Sequence, residues 1–265
     1  MRLTSKINRY KNLFAKIRNW RPYLWNKFFG FDDHFDFDVK GFGLVSVPKV
    51  MLGPFRENFL DEVYFTKVSE IIAKRTNTPV IIDIGANIGY FSLSVFAKFP
   101  DAMIFAFEPH PYCFEVMSQY REKFSRYNFN IFNCAVSDTD DLIRLFIPEE
   151  EALTTIASVF RIKSKETKEI RVQAIRLESF ISKQGLDKID LLKLDCEGSE
   201  YAILYSLPKE LFSKISALSI ETHKCSGLNE NLDALKDFIA NQGYHLKHLR
   251  NGITGYIWAW RSDNN

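Results

Sequence analysis

The chain has 265 residues, of which 46% are hydrophobic and 26% are charged, and this composition excludes a disordered, collagen-like or disulfide-scaffolded protein. No apolar run of about 18 residues or more occurs, so no transmembrane helix is expected. The net charge of +2 conceals an asymmetry, because residues 1–31 carry eight Lys and Arg without an acid, whereas the remainder has 27 basic and 33 acidic residues. The four cysteines lack metal-ligand spacing, which indicates a reduced cytoplasmic protein.

Residues 1–30 form a basic amphipathic segment, which we expect to be distinct from a domain over residues 31–265. Large apolar residues recur every three or four positions from Leu3 to Phe28, which predicts one helical stripe that Pro22 interrupts or ends. Two interpretations stay open. The segment lies on an anionic membrane surface, as a peripheral contact on the inner face, or it docks on its own domain or on a partner.

The elements that follow begin with a hairpin. Alternation around Gly41 and Gly43 predicts a β-hairpin over residues 34–50, and helical spacing predicts a helix over 56–75. From residue 79 onward, the core of the domain, short apolar strands alternate with helices. The strands are expected at the start of the segment VIIDIGANIGYFSLSVFAKF and at residues 102–108, 129–136, 189–195, 215–221, 244–249 and 254–260. Residues 139–175 predict a further hairpin with a charged, solvated loop or edge strand.

Strands that alternate with helices predict an α/β fold with a mostly parallel sheet covered by helices on both faces. Asn251 and Gly252 form a strong two-residue turn signal between the last two strands, which must therefore be antiparallel. The sequence thus predicts a parallel sheet with one reversed strand near the C-terminus.

Acidic residues follow several of these strands, at the sheet edge where open α/β sheets bind ligands. Asp83 opens a turn in which Gly85 permits a sharp bend and Gly89 permits close packing of the next helix. Glu108 ends the next strand, where a carboxylate can accept both hydroxyls of a ribose. We therefore predict a nucleoside-cofactor site. The dinucleotide fingerprint is absent, since Asn87 and Tyr90 occupy its later positions, and no P-loop occurs.

At this point the sequence resembles the FkbM family of S-adenosylmethionine-dependent methyltransferases. The resemblance rests on VIIDIGANIGYFSLSVFAKF, FAFEPHPYCFEVM, FNCAVSD and IDLLKLDCEGSEYAIL, and it covers about residues 79–222. It implies a Rossmann-like class I methyltransferase fold, with a seven-stranded sheet and S-adenosylmethionine as cofactor. The terminal antiparallel hairpin is similar to the end of that sheet.

The resemblance also implies site residues. Glu108 would hold the ribose, Asn133, Ala135 and Ser137 would lie near the adenine, and Asp195, Glu197 and Gly198 would border cofactor and substrate. The cofactor-binding residues that it implies are Asp83, Gly85, Ala86, Asn87, Gly89, Tyr90, Glu108, Pro109, Asn133, Ala135, Ser137 and Asp195.

Transfer to a hydroxyl requires a base, for which Asp195, Glu197, Glu221 and His223 are the candidates by position. Of these we predict Asp195, Glu197 and His223 as the catalytic residues. As an alternative, Asp195, Glu197 and Glu221 would hold Mg²⁺, but we expect no metal. We interpret Glu200 as an ordinary first-turn acid of a helix, His110 as a loop residue and Cys196 as a packing residue.

We expect O-methylation of a sugar hydroxyl on a glycan or a lipid-linked saccharide. The slightly acidic body and the absence of N-P-P-Y or D-P-P-Y count against a nucleic-acid substrate. Three alternatives stay open: a methyltransferase of a small secondary metabolite, a non-catalytic module with this fold, and a nucleotide-sugar or NAD enzyme.

Overall fold

A seven-stranded sheet organises the computed structural model of this protein, which describes residues 2–30, 33–65, 67–148, 167–252 and 254–262. The strands of this sheet and of two smaller ones are β1 (His34–Val39), β2 (Gly43–Pro48), β3 (Val80–Ile84), β4 (Met103–Phe107), β5 (Asn128–Phe132), β6 (Ala135–Ser137), β7 (Leu142–Pro148), β8 (Thr167–Arg176), β9 (Leu191–Leu194), β10 (Ala217–His223), β11 (His245–Asn251) and β12 (Thr254–Trp260). The α-helices are α1 (Arg2–Lys16), α2 (Trp20–Phe29), α3 (Leu52–Phe55), α4 (Ser69–Arg75), α5 (Tyr90–Lys98), α6 (Pro111–Lys123), α7 (Leu177–Gln184), α8 (Glu200–Ser206), α9 (Lys209–Phe212) and α10 (Leu232–Asn241).

The strand order of the large sheet is β11-β12-β10-β9-β3-β4-β5. The five strands β5, β4, β3, β9 and β10 run parallel, whereas β12 is antiparallel to both of its neighbours. The predicted fold class, a Rossmann-like seven-stranded and mostly parallel sheet with one reversed C-terminal strand, is confirmed. This order brings the carboxyl ends of β3, β4, β9 and β10 to one edge.

Helices cover both faces of the sheet, and the alternation along each strand assigns its side chains to one layer or the other. On β4, Ile104 and Ala106 are buried in the layer that also contains side chains of α5 and α6. Phe105 and Phe107 are buried in the opposite layer, where both rings contact Phe180 of α7. Buried aromatic rings therefore hold both layers against the sheet.

The N-terminal helices pack on the body of the same chain. Leu13, Ile17 and Tyr23 are buried, and Arg9 forms a two-pronged ion pair with Asp61. The predicted single stripe is wrong, because the helix breaks after Lys16. Backbone hydrogen bonds to β1 compete there with helical ones, and α2 starts with a new buried face. Pro22 then lies in the first turn of α2, where a missing N–H costs little.

The helix predicted over residues 56–75 is also wrong in its length. A π-helical turn occupies Arg56–Leu60, and α4 begins only at Ser69. Between them Glu62 takes a left-handed conformation with φ of 49°. The indole Nε1 of Trp258 donates to the Val63 carbonyl at 2.8 Å, so tertiary contacts with β12 replace helical bonds in this stretch.

The two smaller sheets lie outside the core sheet. The predicted hairpin of residues 34–50 is confirmed as β1 and β2, and the hairpin within 139–175 as β7 and β8. The strand predicted over 129–136 is split, because β6 leaves the large sheet and pairs with β8. Of the charged stretch, residues 167–171 lie on β8 and the preceding part falls outside the described residues. Within the described ranges, no helix combines the length and the apolar character that crossing a bilayer requires.

Candidate active site

A cavity of about 300 Å³ opens at the sheet edge where β3, β4, β9 and β10 end. Its wall consists of the turn after β3, the residues after β4, the segment Asp195–Glu197 after β9, and side chains from the end of β10. Glu57 and Asn58 of the π-helical turn, together with Tyr64, complete the wall. Parallel strands place all their carboxyl ends on this edge, so the topology alone brings these distant segments together.

The turn after β3 is held open by left-handed residues. Gly85, Asn87 and Gly89 have φ of 74°, 52° and 90°. A side chain on Gly85 would place its Cβ 1.8 Å from the carbonyl oxygen of Asp195, so the neighbouring strand, rather than only a ligand, requires glycine there. Asparagine is among the non-glycine residues that adopt this conformation most readily, and the Asn87 Oδ1 accepts from the Ile88 amide. This explains why asparagine can stand at position 87, where the dinucleotide fingerprint has glycine.

Asp83 lies behind the cavity wall and does not line it. Its carboxylate is fully buried, accepts from the Ser92 hydroxyl at 2.7 Å and lies 3.1 Å from Lys193 Nζ. The same ammonium group donates to the Gly85 carbonyl at 2.7 Å. Asp83 therefore acts on the turn through Lys193, and the charges of Asp83 and Asp195 raise the pKa of this lysine despite its burial.

Glu108 lies at the end of β4 and faces the cavity. One carboxylate oxygen accepts from the Asn87 amide at 2.7 Å and the other accepts from the His110 amide at 2.8 Å. Burial raises its pKa to about 7, although both amide bonds favour the charged form. Each oxygen of a carboxylate has a second lone pair, so both can still accept from the hydroxyls of a bound ligand.

The other predicted cofactor residues divide between the cavity wall and its support. The predicted residues that line the cavity, besides Gly85, Asn87, Glu108 and Asp195, are Ala86, Tyr90, Pro109 and Ala135. Gly89 packs against Met117, and the Ser137 hydroxyl donates to Asp138. Asn133 donates from its side-chain amide to the Glu108 carbonyl at 2.9 Å and thus ties the chain before β6 to the end of β4.

A phenol joins two carboxyl groups in the wall of the cavity. The Tyr64 hydroxyl lies 2.7 Å from an oxygen of Asp195 and 2.7 Å from an oxygen of Glu221. A phenol has one proton to donate, so both short contacts are satisfied only when one carboxyl group is itself protonated. Burial and the charge of Asp195 raise the pKa of Glu221, which favours its protonated form.

His223 lies between two acids. Its Nδ1 is 2.8 Å from Glu200, whose side chain is fully buried, and its Nε2 is 3.5 Å from Glu197. Burial opposes the charged ring, but the hydrogen bond and charge of Glu200 prevail and raise the pKa of His223 to about 10. His223 was predicted as a candidate base from its position, but its pairing with two acids favours the protonated ring, which is poorly suited to accept a proton near neutral pH.

Glu197 is a cavity-lining carboxyl group in an environment suited to proton transfer. It lines the cavity, its side chain is 26% exposed, and φ of 52° at this residue turns the chain before Gly198. Burial raises its pKa to about 7, against the opposing charge of His223. A carboxyl group that titrates near neutral pH can accept a proton under physiological conditions.

Among the described residues, Asp195, Glu197 and His223 each offer a possible metal-ligand atom, and these atoms lie within 4.8 Å of one another. This spacing is compatible with a bound metal ion. In its protonated form, however, His223 already supplies positive charge to Glu197 and Glu200. The Mg²⁺ alternative named Glu221 as its third ligand, and the Tyr64 hydroxyl contacts that group instead.

Three contributors were not identified from the sequence. Lys193 is the single charge within an apolar strand, Tyr64 lies 131 residues from Asp195, and Glu200 was interpreted as an ordinary first-turn acid of a helix. The signal that could have found Lys193 is the strand LLKL, because a lysine in a strand buried on both faces needs acidic partners. Cys196 is partly buried and lines the cavity, and burial raises its thiol pKa well above the ordinary value, which disfavours the reactive thiolate.

The chain is similar to known methyltransferases in sequence and in fold. The family model described as "Methyltransferase FkbM domain" matches residues 83–246. Methyltransferase sdnD of Sordaria araneosa is 31% identical over 226 residues, which cover 74% of this chain and 83% of that protein. The 31-O-demethyl-FK506 methyltransferase FkbM of Streptomyces tacrolimicus is 26% identical over 199 residues, covering 65% of this chain and 75% of that protein. The crystal structure of methyltransferase FkbM from Methylobacillus flagellatus KT is 15% identical, with a TM-score of 0.48, and the match covers 69% of this chain and 44% of that one.

Proposed function

Because this chain belongs to the FkbM methyltransferase family, we propose that it transfers the methyl group of S-adenosylmethionine to a sugar hydroxyl of a glycan or lipid-linked saccharide. The observation that carries the cofactor proposal is the meeting of the glycine turn after β3 with the carboxylate of Glu108 at one cavity. A carboxylate at this place in an α/β sheet is suited to accept the hydroxyls of a ribose.

The residues present fit this cofactor. Glu108 retains free lone pairs on both oxygens, and the absence of a side chain at Gly85 keeps the backbone of the turn next to the cavity. Apolar side chains of Ala135, Val136 and Leu145 supply a surface on which a purine can rest. When bound, S-adenosylmethionine supplies an activated methyl group, and alignment of the acceptor with it provides much of the rate.

The acceptor side of the cavity is rich in oxygen atoms that accept hydrogen bonds. Glu57, Glu197 and Glu221 line it, and the Oδ1 atom of Asn58 is buried without a partner among the described residues. Burial raises the pKa of Glu57 to about 7. A saccharide offers several hydroxyl donors to such a wall, and this supports a sugar acceptor over an apolar one.

We assign the base to Glu197 and a positioning role to Asp195. The acceptor hydroxyl gives its proton to Glu197 as the oxygen takes the methyl group, and the carboxyl group later returns the proton to water. Asp195 is held by Tyr64 and Lys193, so its orientation is fixed beside the turn. His223 stays protonated and orients Glu197.

The test is transfer of labelled methyl groups from S-adenosylmethionine to a panel of mono- and oligosaccharides and of small non-sugar alcohols. We expect Glu197→Gln to lower turnover about a hundredfold to ten-thousandfold and to leave affinity for S-adenosylhomocysteine within a few fold. Wild-type turnover should rise with pH through about 7, because the base must be unprotonated. The exposed acid Glu210, outside the cavity, provides the control variant Glu210→Gln.

Two of the alternative functions, and the alternative of a bound metal, predict other outcomes in this assay. Transfer only to the non-sugar alcohols would support a methyltransferase of small secondary metabolites, and the name of the FK506-related homologue describes an oxygen acceptor of that kind. Cofactor binding without transfer to any acceptor would support the non-catalytic module. If chelation by EDTA stops transfer and Mg²⁺ restores it, the carboxylates hold a metal and the base assignment fails.

We also propose that the N-terminal segment contacts an anionic membrane surface on the cytoplasmic side. The side chains of Trp25, Phe28 and Phe29 are 65%, 80% and 71% exposed on α2, in a segment without acidic residues. Aromatic rings beside basic residues suit the headgroup level of an anionic bilayer.

Co-sedimentation with vesicles tests this contact. Binding should require anionic lipid, fall with added salt and weaken in the variant Phe28→Ser/Phe29→Ser. Leu228, which is 97% exposed between β10 and α10, provides the control variant Leu228→Ser. Equal binding to neutral vesicles would contradict the electrostatic part of the proposed membrane contact. No binding to either kind of vesicle would contradict the contact altogether and would favour helices that only pack on their own domain.

A further inference from the structure

We propose that His110 is a cofactor-binding residue whose Nε2–H donates a hydrogen bond to a ring nitrogen of the adenine. This inference rests on the proposed use of S-adenosylmethionine. His110 is 4% exposed, lines the cavity, and lies two residues after Glu108. From the sequence His110 was predicted to be a loop residue, because nothing there indicates where a histidine between two prolines points.

The hydrogen bonds of the ring define its tautomer. His110 is the N-cap of α6, and its Nδ1 accepts from the backbone amides of Tyr112 at 3.2 Å and Cys113 at 3.5 Å. A backbone amide can only donate, so Nδ1 must present its lone pair. The proton of the neutral ring is therefore on Nε2. Burial lowers the pKa of His110, which further favours the neutral ring.

The Nε2 atom is buried and has no hydrogen-bond partner within the described ranges of the chain. A buried donor without an acceptor is unfavourable, and a ligand that supplies the acceptor gains affinity from relieving this. The donor is also preorganised, because Pro111 occupies the first position of α6 and the His110 amide is bonded to Glu108.

The surroundings favour a purine as the acceptor. Asn133 donates to the Glu108 and Pro109 carbonyls and so brings the chain before β6 next to His110. Ala135 and Val136 of β6 line the same cavity and are apolar. A flat ring with acceptor nitrogens fits a slot with apolar walls and one fixed donor, beside the carboxylate proposed for the ribose.

The test uses the variant His110→Asn, because asparagine is an equally good N-cap but is too short to replace the Nε2 donor. Calorimetry would compare S-adenosylhomocysteine with its 1-deaza, 3-deaza and 7-deaza analogues, each of which lacks one ring acceptor. We expect the variant to bind S-adenosylhomocysteine about three- to tenfold more weakly than the wild type. We expect one analogue to lose the same factor in the wild type and nothing further in the variant.

Unchanged affinity in the variant would overturn the assignment. Should the variant fail to fold, the wild-type series decides alone, because equal affinity for all three analogues would contradict the proposed hydrogen bond. A wild-type protein that binds none of these compounds would instead refute the proposed cofactor, and this inference with it.

Discussion

If His223 is protonated in the folded protein, the free energy of unfolding should depend on pH in a way that can be calculated. Its pKa of about 10 in the folded protein exceeds the ordinary value of 6.5, so the folded state holds a proton that the unfolded state releases on passing pH 6.5. The stabilisation is complete below pH 6.5 and is lost as pH rises toward 10. One retained proton changes the free energy of unfolding by about 1.4 kcal/mol per pH unit, so the contribution of His223 to stability should fall by about 2 kcal/mol between pH 7 and 8.5.

Three acids add a smaller decline over the same interval. Glu57, Glu108 and Glu197 have raised pKa values of about 7, so each is only about half ionised at pH 7 and lowers stability by about 0.4 kcal/mol by pH 8.5. The difference in decline between the wild type and a variant without the imidazole therefore reports on His223. The variant His223→Gln should keep only the decline of about 1 kcal/mol from these acids, so its fall should be about 2 kcal/mol smaller than that of the wild type, whatever its absolute stability.

Urea unfolding at half-unit steps from pH 7 to 8.5 measures the slope, and NMR titration of the imidazole signals measures the ring directly. The signals of His223 are assigned by their loss in His223→Gln. A wild-type decline no steeper than that of the variant, or a ring that titrates near pH 6.5, would refute the imidazolium and return His223 to the set of candidate bases.

Two further predictions concern the support of the turn. Lys193→Met should lower the free energy of unfolding by about 3–5 kcal/mol, because it leaves the buried Asp83 carboxylate without its cation, and denaturant titration measures this loss. Gly85 and Gly41 share a φ of 74°, but a Cβ at Gly41 meets nothing within 4 Å. Gly41→Ala should therefore cost about 1–2 kcal/mol from backbone strain alone. Gly85→Ala should cost at least about 1–3 kcal/mol more in the same titration, because its Cβ collides with Asp195, and equal losses would contradict the steric argument.

The sequence was sufficient for the core sheet and for one half of the site. Short apolar strands between helices specify a parallel sheet, and a parallel sheet places Asp83, Glu108 and Asp195 at one edge. The reversed strand followed from the Asn251-Gly252 turn. These inferences succeeded because each rests on local pattern and on a general topological rule.

The other half depends on contacts between distant residues. Tyr64 reaches Asp195 only because tertiary contacts unwind the helix predicted around it, and Glu200 meets His223 through the packing of α8 beside β10. Asp83 was expected to line the cavity, yet its buried carboxylate holds Lys193 instead. Position at a strand end fixes the edge of the sheet but not the direction in which the side chain points.

Binding of S-adenosylhomocysteine to the purified protein, measured by calorimetry in the wild type and in Glu108→Ala, tests the central claim most directly. We expect saturable binding with one site per chain. In the variant the binding free energy should weaken by roughly 1.5–3 kcal/mol, because charged hydrogen bonds to the ribose are lost. Unchanged affinity in Glu108→Ala, or no binding to the wild type at all, would contradict this claim.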